Sequence, residues 1–483
     1  MRFEIKRKDF GGRIGSLELG DWEIETPTIM PVVNPNLETV SIEDIRDVGA
    51  DILITNSYII YKNEKLRERV LKEGLHDFLG FDGPIMTDSG AYQLSVYGDV
   101  EVTSQEILNF QEEIGSDIGV PLDIPTSPDA TRDKAEKDLA ETMDRLRSIG
   151  EFDDLNVAGP VQGASYGDLR SKAANQVSEI GFDLYCIGGV VPIMESYDFE
   201  KLAQVVIPTK KNLPVNKPIH LFGAGHPMIF SFAVALGCDL FDSAAYALFA
   251  KRGKYITVRG TWDVGEMEYL PCSCPVCSNA GAEDLVDDKE KLAKHNLYVT
   301  FREINTVKES IRRGELFELV SERSRAHPSL LSGLMKALDE ENWFEKFAPV
   351  SKKNAFFYCG EESLKRPELL RNLKKIDSFN LTGKRLLIVP HDFKINTDSS
   401  TQIIKIKPPF VYSEELSNTY PFGQSLIANI NKEKRKKFAK RLIKKIIDKF
   451  GQNFEEIYSI GNQIELGQIK DLSPDEARKR FSI

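Results

Sequence analysis

One pattern recurs through the first three hundred residues: a short apolar or β-branched run ending in polar or glycine residues, then a stretch with helical periodicity. The candidate strands are 28–33 (TIMPVV), 51–55 (DILIT), 84–87 (PIMT), 119–122 (GVPL), 155–161 (LNVAGPV), 183–187 (DLYCI), 219–222 (IHLF) and 239–241 (DLF). Helical periodicity and capping residues mark 41–48, 65–72, 104–114, 129–149, 168–180, 198–207 and 228–236. Eight strands alternating with helices over this length predict an α/β fold, a (β/α)8 TIM barrel. An open doubly wound sheet fits less well, because no Gly-x-Gly-x-x-Gly follows the first strand.

In such a barrel the strand ends share one rim, which is the usual active-site face. Asp88 and Ser89 end the third strand, Asp123 the fourth, Gln162 and Gly163 the fifth, and Gly188 and Gly189 the sixth. Gly223 and Gly225 end the seventh, and Asp242 and Ser243 the eighth. Carboxylates placed there can act as nucleophile, general acid or base, metal ligand, or acceptor for a substrate N–H. A metal role for all three aspartates is disfavoured, since no histidine accompanies them at the strand ends. His226, beside Pro227 at a helix start, reads as a cap. A pair of carboxylates can cleave a glycosidic bond, one attacking the anomeric carbon while the other manages protons. Asp123, Gln162 and the Gly189 backbone suit the edge of a guanine-like base, which offers N–H donors and a carbonyl. Taken singly, any of these aspartates is explained as well by capping the next helix.

Cys272, Cys274 and Cys277 fall within one turn, and His295 follows at loop-closing distance. Three thiolates and an imidazole suit a tetrahedral zinc ion. Four protein ligands leave no open position, so the ion is expected to be structural and a zinc hydrolase is disfavoured. This stretch is expected as an insertion at about 262–300, with the barrel-closing helix after it, around 302–312. The N-terminus has no signal-like apolar core and no run approaches a membrane span, which with the clustered cysteines predicts a cytosolic chain without a membrane partner. The net charge of −11 argues weakly against nucleic acid. Residues 432–449, however, hold ten basic side chains against Glu433 and Asp448, either an RNA-contacting face or a solvated helix face. The barrel domain is expected to span 1–345. Residues 346–425 read as an accessory α/β domain, with strands at 352–359 and 384–390 and a Pro-rich connector at 405–409 and 420–423. Residues 426–483 read as a basic helical tail or part of a second accessory domain.

The strings FDGPIMTDSGAYQ (81–93), PLDIPT (121–126), PVQGA (160–164), CIGGVV (186–191), LFGAGHP (221–227), DLFDSA (239–244) and CSCPVC with its histidine resemble the tRNA-guanine transglycosylase family. The likeness runs in register over most of residues 1–345, and IPT after Asp123, VV after Gly189 and FGAGHP resemble the archaeal branch. The resemblance implies a barrel with a zinc-bearing insertion, one structural Zn2+ per chain. It also implies a pentosyltransferase that exchanges a guanine at position 15, in the tRNA D-loop, for 7-cyano-7-deazaguanine on the way to archaeosine. Asp242 matches the family's nucleophile and Asp88 its general acid/base. Ser89, Asp123, Gln162 and Gly189 match base-recognition positions, and Tyr92 and Phe222 match residues that sandwich the base. Val190 and Val191 fall where the pocket wall meets the 7-substituent, and their bulk leaves room for a slim nitrile rather than a queuine-like group. Family members commonly form homodimers through the zinc-bearing side. Archaeal members usually carry an RNA-binding PUA domain, and none is recognised here, so a separate PUA polypeptide is an expected partner beside tRNA. The alternatives are a queuine-type enzyme acting at the anticodon wobble guanine and a non-catalytic tRNA-binding subunit. The presence of both Asp88 and Asp242 speaks against the second.

Overall fold

The computed structural model describes residues 1–37, 39–91, 102–461 and 469–481. Two compact units emerge, Met1–Ala337 and Leu338–Ile483.

The first unit begins with an antiparallel sheet that the sequence reading did not anticipate: β1 (Arg2–Asp9), β2 (Gly12–Leu19) and β3 (Trp22–Thr26). All eight expected barrel strands follow: β4 (Thr28–Pro31), β5 (Leu53–Asn56), β6 (Ile85–Asp88), β7 (Ile118–Gly119), β8 (Asn156–Val161), β9 (Leu184–Ile187), β10 (Ile219–Leu221) and β11 (Leu240–Ser243). They form one parallel sheet in the order β4-β11-β10-β9-β8-β7-β6-β5. A parallel bridge between Val32 and Ile54, with the Val33 N–H donating to Ile54 O at 2.9 Å, draws the outer strands together into a barrel.

Side chains alternate across each strand, so every second residue points into the barrel. The lower inward positions are apolar. Met30, Ile54, Met86, Ile118, Ala158, Leu184, Cys186 and Leu240 share one buried cluster with Leu17, Leu19 and Ile24 of the N-terminal sheet. Arg13 of β2 is buried against Asp239, which precedes β11, with Nη2 2.6 Å from Oδ2, and it also donates to the carbonyls of Val215 and Lys217. That anchor places the N-terminal sheet at the mouth where the strands begin. Following the same inward parity to the other end, the residues turn polar: Asn56, Asp88, Gln162 and Asp242. The period-2 pattern therefore puts hydrophobic packing below and chemistry above.

After β11 comes a hairpin, β12 (Lys254–Thr257) and β13 (Gly260–Asp263), and then the Cys-rich turn. The closing helix is longer than expected and starts earlier. It spans Lys289–Arg313 and is capped by Asp288, whose Oδ1 accepts from the Lys291 N–H at 2.9 Å. His295 therefore sits on this helix and not in the preceding loop. Lysines and a glutamate around Leu292, Ala293 and Leu297 masked the apolar stripe that these residues bury.

In the second unit β14 (Phe356–Tyr358) pairs with a later strand, and β15 (Arg385–Pro390) is central to a separate sheet. The expected connector is largely sheet. β16 (Thr401–Lys407) and β17 (Phe410–Ser413) are antiparallel, and Pro408-Pro409 only makes the turn between them. Tyr420 and Phe422 join a buried aromatic cluster with Phe356, Tyr358, Phe410 and Tyr412. Next come β18 (Ser425–Ile427), the partner of β14, then β19 (Glu456–Ile460) and β20 (Lys470–Leu472). The sheet order is β17-β16-β15-β19-β20. The basic segment is a helix, Lys432–Phe450, that lays Ala439, Leu442, Ile443, Ile446 and Phe450 on Leu386, Ile388 and Ile404 of that sheet. Its lysines face water at Lys437, Lys440 and Lys444. A break at 425 does not match this packing, because the later residues complete the same sheet and core. Among the described residues, no helix is long and apolar enough to cross a membrane.

Candidate active site

A cavity of about 340 Å³ opens where the barrel strands end, and its lining includes Asp88, Asp123, Gln162, Gly189, Phe222 and Asp242. That is the lower end of the range for small-molecule pockets, so it is sized for a base rather than a large ligand. Val191 also reaches the lining. Two expected residues do not. Ser89 is buried with its Oγ donating to Pro121 O at 3.2 Å, and Val190 is fully buried. Tyr92 lies outside the described residues.

The three carboxylates are held in different ways. Asp88 pairs in register with Asn56 of β5, whose Nδ2 donates to Oδ2 at 3.2 Å. Burial pushes the Asp88 carboxyl up to about 7, and the charges of Asp123 and Asp242 push in the same direction. Asp123 is also raised by burial, while the Gln162 amide, donating to Oδ2 at 2.6 Å, works against that rise. Asp242 is buried, and its Oδ1 accepts from two donors, His220 Nε2 at 2.8 Å and the Gly223 N–H at 2.7 Å. Among the described residues no hydrogen bond reaches its Oδ2.

His220 and Arg170 were missed by the sequence reading. His220 is fully buried on β10 within the apolar string IHLF, where a histidine reads as core. The available signal was parity: His220 is two residues before Phe222 and shares its inward side. Arg170 is buried in the helix Gly167–Ile180 and donates to the carbonyls of Ala164, Val161 and Gly188 at 2.8, 2.8 and 2.9 Å. Burial pushes its guanidinium down to about 9, opposed by Asp123. It thereby fixes the turns after β8 and β9 that carry Gln162 and Gly189. Gly189 has φ +68, and an added Cβ would lie 3.0 Å from both Thr126 O and Gln162 Oε1. Only glycine fits there without strain. His226 behaves as expected, its Nδ1 accepting from the Met228 N–H at 3.1 Å as a cap.

The arrangement has a definite chemical capacity. A carboxyl titrating near neutrality can give and take a proton in one cycle. A carboxylate held by two donors on one oxygen presents the other oxygen as a nucleophile.

A second cluster lies outside this cavity. Ligand atoms of Cys272, Cys274, Cys277 and His295 fall within 4.8 Å of one another, a group that could hold a metal ion. Nδ1 of His295 is 3.6 Å from Cys274 Sγ and 3.1 Å from Cys277 Sγ. Such separations approximate the edges of a tetrahedron with bonds of about 2.0–2.3 Å. His295 Nε2 lies 3.1 Å from Ile256 O, and Tyr255 stacks on the ring at 3.7 Å, so the imidazole is oriented with Nδ1 toward the sulfurs.

The profile of the family described as Queuine tRNA-ribosyltransferase matches residues 9–329. A curated relative from Methanosarcina barkeri is 53% identical over 427 residues, covering 87% of this chain and 86% of its own. One from Haloarcula marismortui is 48% identical over 430 residues, 87% of each chain. One from Methanocaldococcus jannaschii is 47% identical over 479 residues, 94% of this chain and 73% of its own. All three are named tRNA-guanine(15) transglycosylase.

Proposed function

Since this chain belongs to the queuine tRNA-ribosyltransferase family, we propose that it exchanges the guanine at position 15 of tRNA through a ribosyl ester on Asp242. The observation that carries this reading is the pairing, in one base-sized cavity, of a carboxyl near pKa 7 with a carboxylate anchored through a single oxygen.

Asp242 Oδ2 attacks C1′ of the target nucleoside. The C1′–N9 bond breaks, and guanine departs with the electron pair and takes a proton from Asp88. The ribose is then held as an ester. Asp88, now a carboxylate, removes the N9 proton of the incoming base. N9 bonds to C1′, the C1′–Oδ2 bond breaks, and its electron pair returns to Asp242. Reaching the cavity requires the target nucleotide to leave its stack, which costs about a few kcal/mol. Asp123, Gln162 and the Gly189 backbone recognise the edge of the base, and Phe222 covers one face of it. The incoming base is 7-cyano-7-deazaguanine. Val191 lines the cavity beside Gly223, and its branched side chain favours a slim nitrile over a queuine-like group at the 7-position.

Zinc is the ion assigned to Cys272, Cys274, Cys277 and His295, and when bound it ties the Cys-rich turn to the closing helix without an open position for substrate. The cytosol is the proposed compartment, in keeping with a tRNA substrate. A homodimer through the Cys/His side and a separate PUA polypeptide are the proposed macromolecular partners; sedimentation tests the first, and the tRNA affinity of the chain alone tests the second, full-strength specific binding without a partner counting against it.

The function is tested by supplying the purified chain with tRNA and labelled guanine, 7-cyano-7-deazaguanine or queuine, then mapping the label. Incorporation of the first two at position 15 is expected. Queuine entering the wobble position contradicts the reading.

A further inference from the structure

His220 and Cys186 are register partners on neighbouring strands β10 and β9, and both point into the barrel. Leu240 is the register partner of His220 on the other side, so Asp242 stands one inward layer above. The imidazole spans the two layers: Nδ1 is 3.6 Å from Cys186 Sγ and Nε2 is 2.8 Å from Asp242 Oδ1. A carboxylate oxygen only accepts, so a contact of 2.8 Å requires the proton on Nε2. In that tautomer Nδ1 is an acceptor, and it faces the Cys186 S–H. Burial, with Asp123, Asp242 and Asp88 adding to it, raises the Cys186 pKa well above its ordinary value, so the thiol keeps its proton.

We propose that His220 is a positioning residue for Asp242: its Nε2–H, aligned by the Cys186 thiol and joined by the Gly223 N–H, holds Oδ1 and aims Oδ2 at the reacting carbon. This rests on the reading of Asp242 as nucleophile. In the first step the bond fixes which oxygen attacks. In the second, the C1′–Oδ2 bond breaks and negative charge returns to the carboxylate, and the same two donors are already in place to receive it. His220 touches neither base nor ribose in this scheme, and it exchanges no proton. Its effect is felt in the rate of bond making and breaking, with base and tRNA affinity unchanged.

The test compares His220→Phe, which removes the donor, with His220→Gln, whose amide N–H restores one at similar reach. Single-turnover guanine release is expected to fall about 100-fold in the Phe variant with the tRNA KM unchanged, and to recover to within about tenfold of wild type in the Gln variant. A Phe variant with a wild-type melting curve and a guanine-release rate within about threefold of wild type overturns the proposal, as does a loss expressed in KM alone or a Gln variant no better than Phe. A second measurement does not depend on base exchange: 15N NMR of histidine-labelled full-length chain, with His220 identified by its absence in the Gln variant. A protonated Nε2 is expected. An Nε2 without a proton overturns the proposal. Failure of Asp242 to carry the ester would instead refute the underlying reading and leave this NMR result as it stands.

Discussion

Gln162 Nε2 donates to Asp123 Oδ2 at 2.6 Å, and this one bond settles how both side chains meet the cavity. It fixes the amide with nitrogen toward the carboxylate, since the flipped amide would set oxygen against oxygen. Among the described residues it leaves Gln162 Oε1 buried without a hydrogen-bond partner.

Asp123→Asn is therefore expected to weaken base binding more than it slows chemistry. It removes a charged acceptor for the base N–H groups and breaks the complementarity with Gln162. A hydrogen bond to a charged group is worth about 1.5–3 kcal/mol, so the KM for the free base should rise about 10- to 100-fold. Steady-state kinetics with guanine as the varied substrate check this, and a kcat effect without a KM effect would count against it.

The raised pKa of Asp88 predicts opposite pH dependences for the two half-reactions. Guanine release needs the protonated carboxyl, so its rate should fall as pH rises through about 7. Attack by the incoming base needs the carboxylate, so that rate should fall as pH drops through the same region. Rapid-quench measurements of each half-reaction separate them.

The same shift makes a stability prediction. The ordinary value is 3.8 and the folded value about 7, so the fold favours the protonated form. Stability from this group is fully present below the ordinary value and is lost as pH rises toward 7. Asp88→Asn removes that dependence. Its advantage in melting temperature over wild type should grow from pH 4 to pH 8, corresponding at most to about a few kcal/mol. A difference that stays flat with pH would contradict the burial argument.

Cys277→Ser, or removal of metal by a chelator, is expected to lower the melting temperature and raise the KM for tRNA. The guanine-release rate at saturating tRNA should stay near wild type, because the Cys/His group lies outside the cavity lining. Metal analysis should give one zinc per wild-type chain. An unchanged melting curve after complete metal loss would remove the structural role.

Gly189→Ala separates backbone strain from close approach. Gly80 has φ +67 and ψ 37 with nothing within 4 Å of an added Cβ, so Gly80→Ala should cost only the left-handed penalty of about 1–2 kcal/mol. Gly189→Ala incurs the same penalty and also presses on Thr126 O and Gln162 Oε1. Only the second variant should lose base exchange. Melting curves and exchange assays on the pair check it.

The barrel was legible because strands buried inside a ring of helices are continuous apolar runs, and their polar ends mark the rim. Asp88, Asp123, Gln162 and Asp242 stood out for that reason. His220 did not, because its function depends on which layer of the barrel it occupies and on a neighbour from another strand. Arg170 acts through carbonyls, which leave no trace in residue identity. The N-terminal sheet was missed as strands such as RFEIKRKD are charged on one face and short on apolar residues. In the second unit, the proline pair at 408–409 outweighed the β-branched run TQIIKIK before it.

The central claim is the ester on Asp242, and trapping it is the most direct test. The chain is incubated with tRNA in the absence of free base, quenched in acid and digested, and the ribosylated peptide is sequenced by mass spectrometry. The modification is expected on Asp242 in wild type, with neither adduct nor base exchange in Asp242→Ala. An adduct on another residue, or labelled guanine still entering position 15 in the folded Asp242→Ala chain, would contradict it.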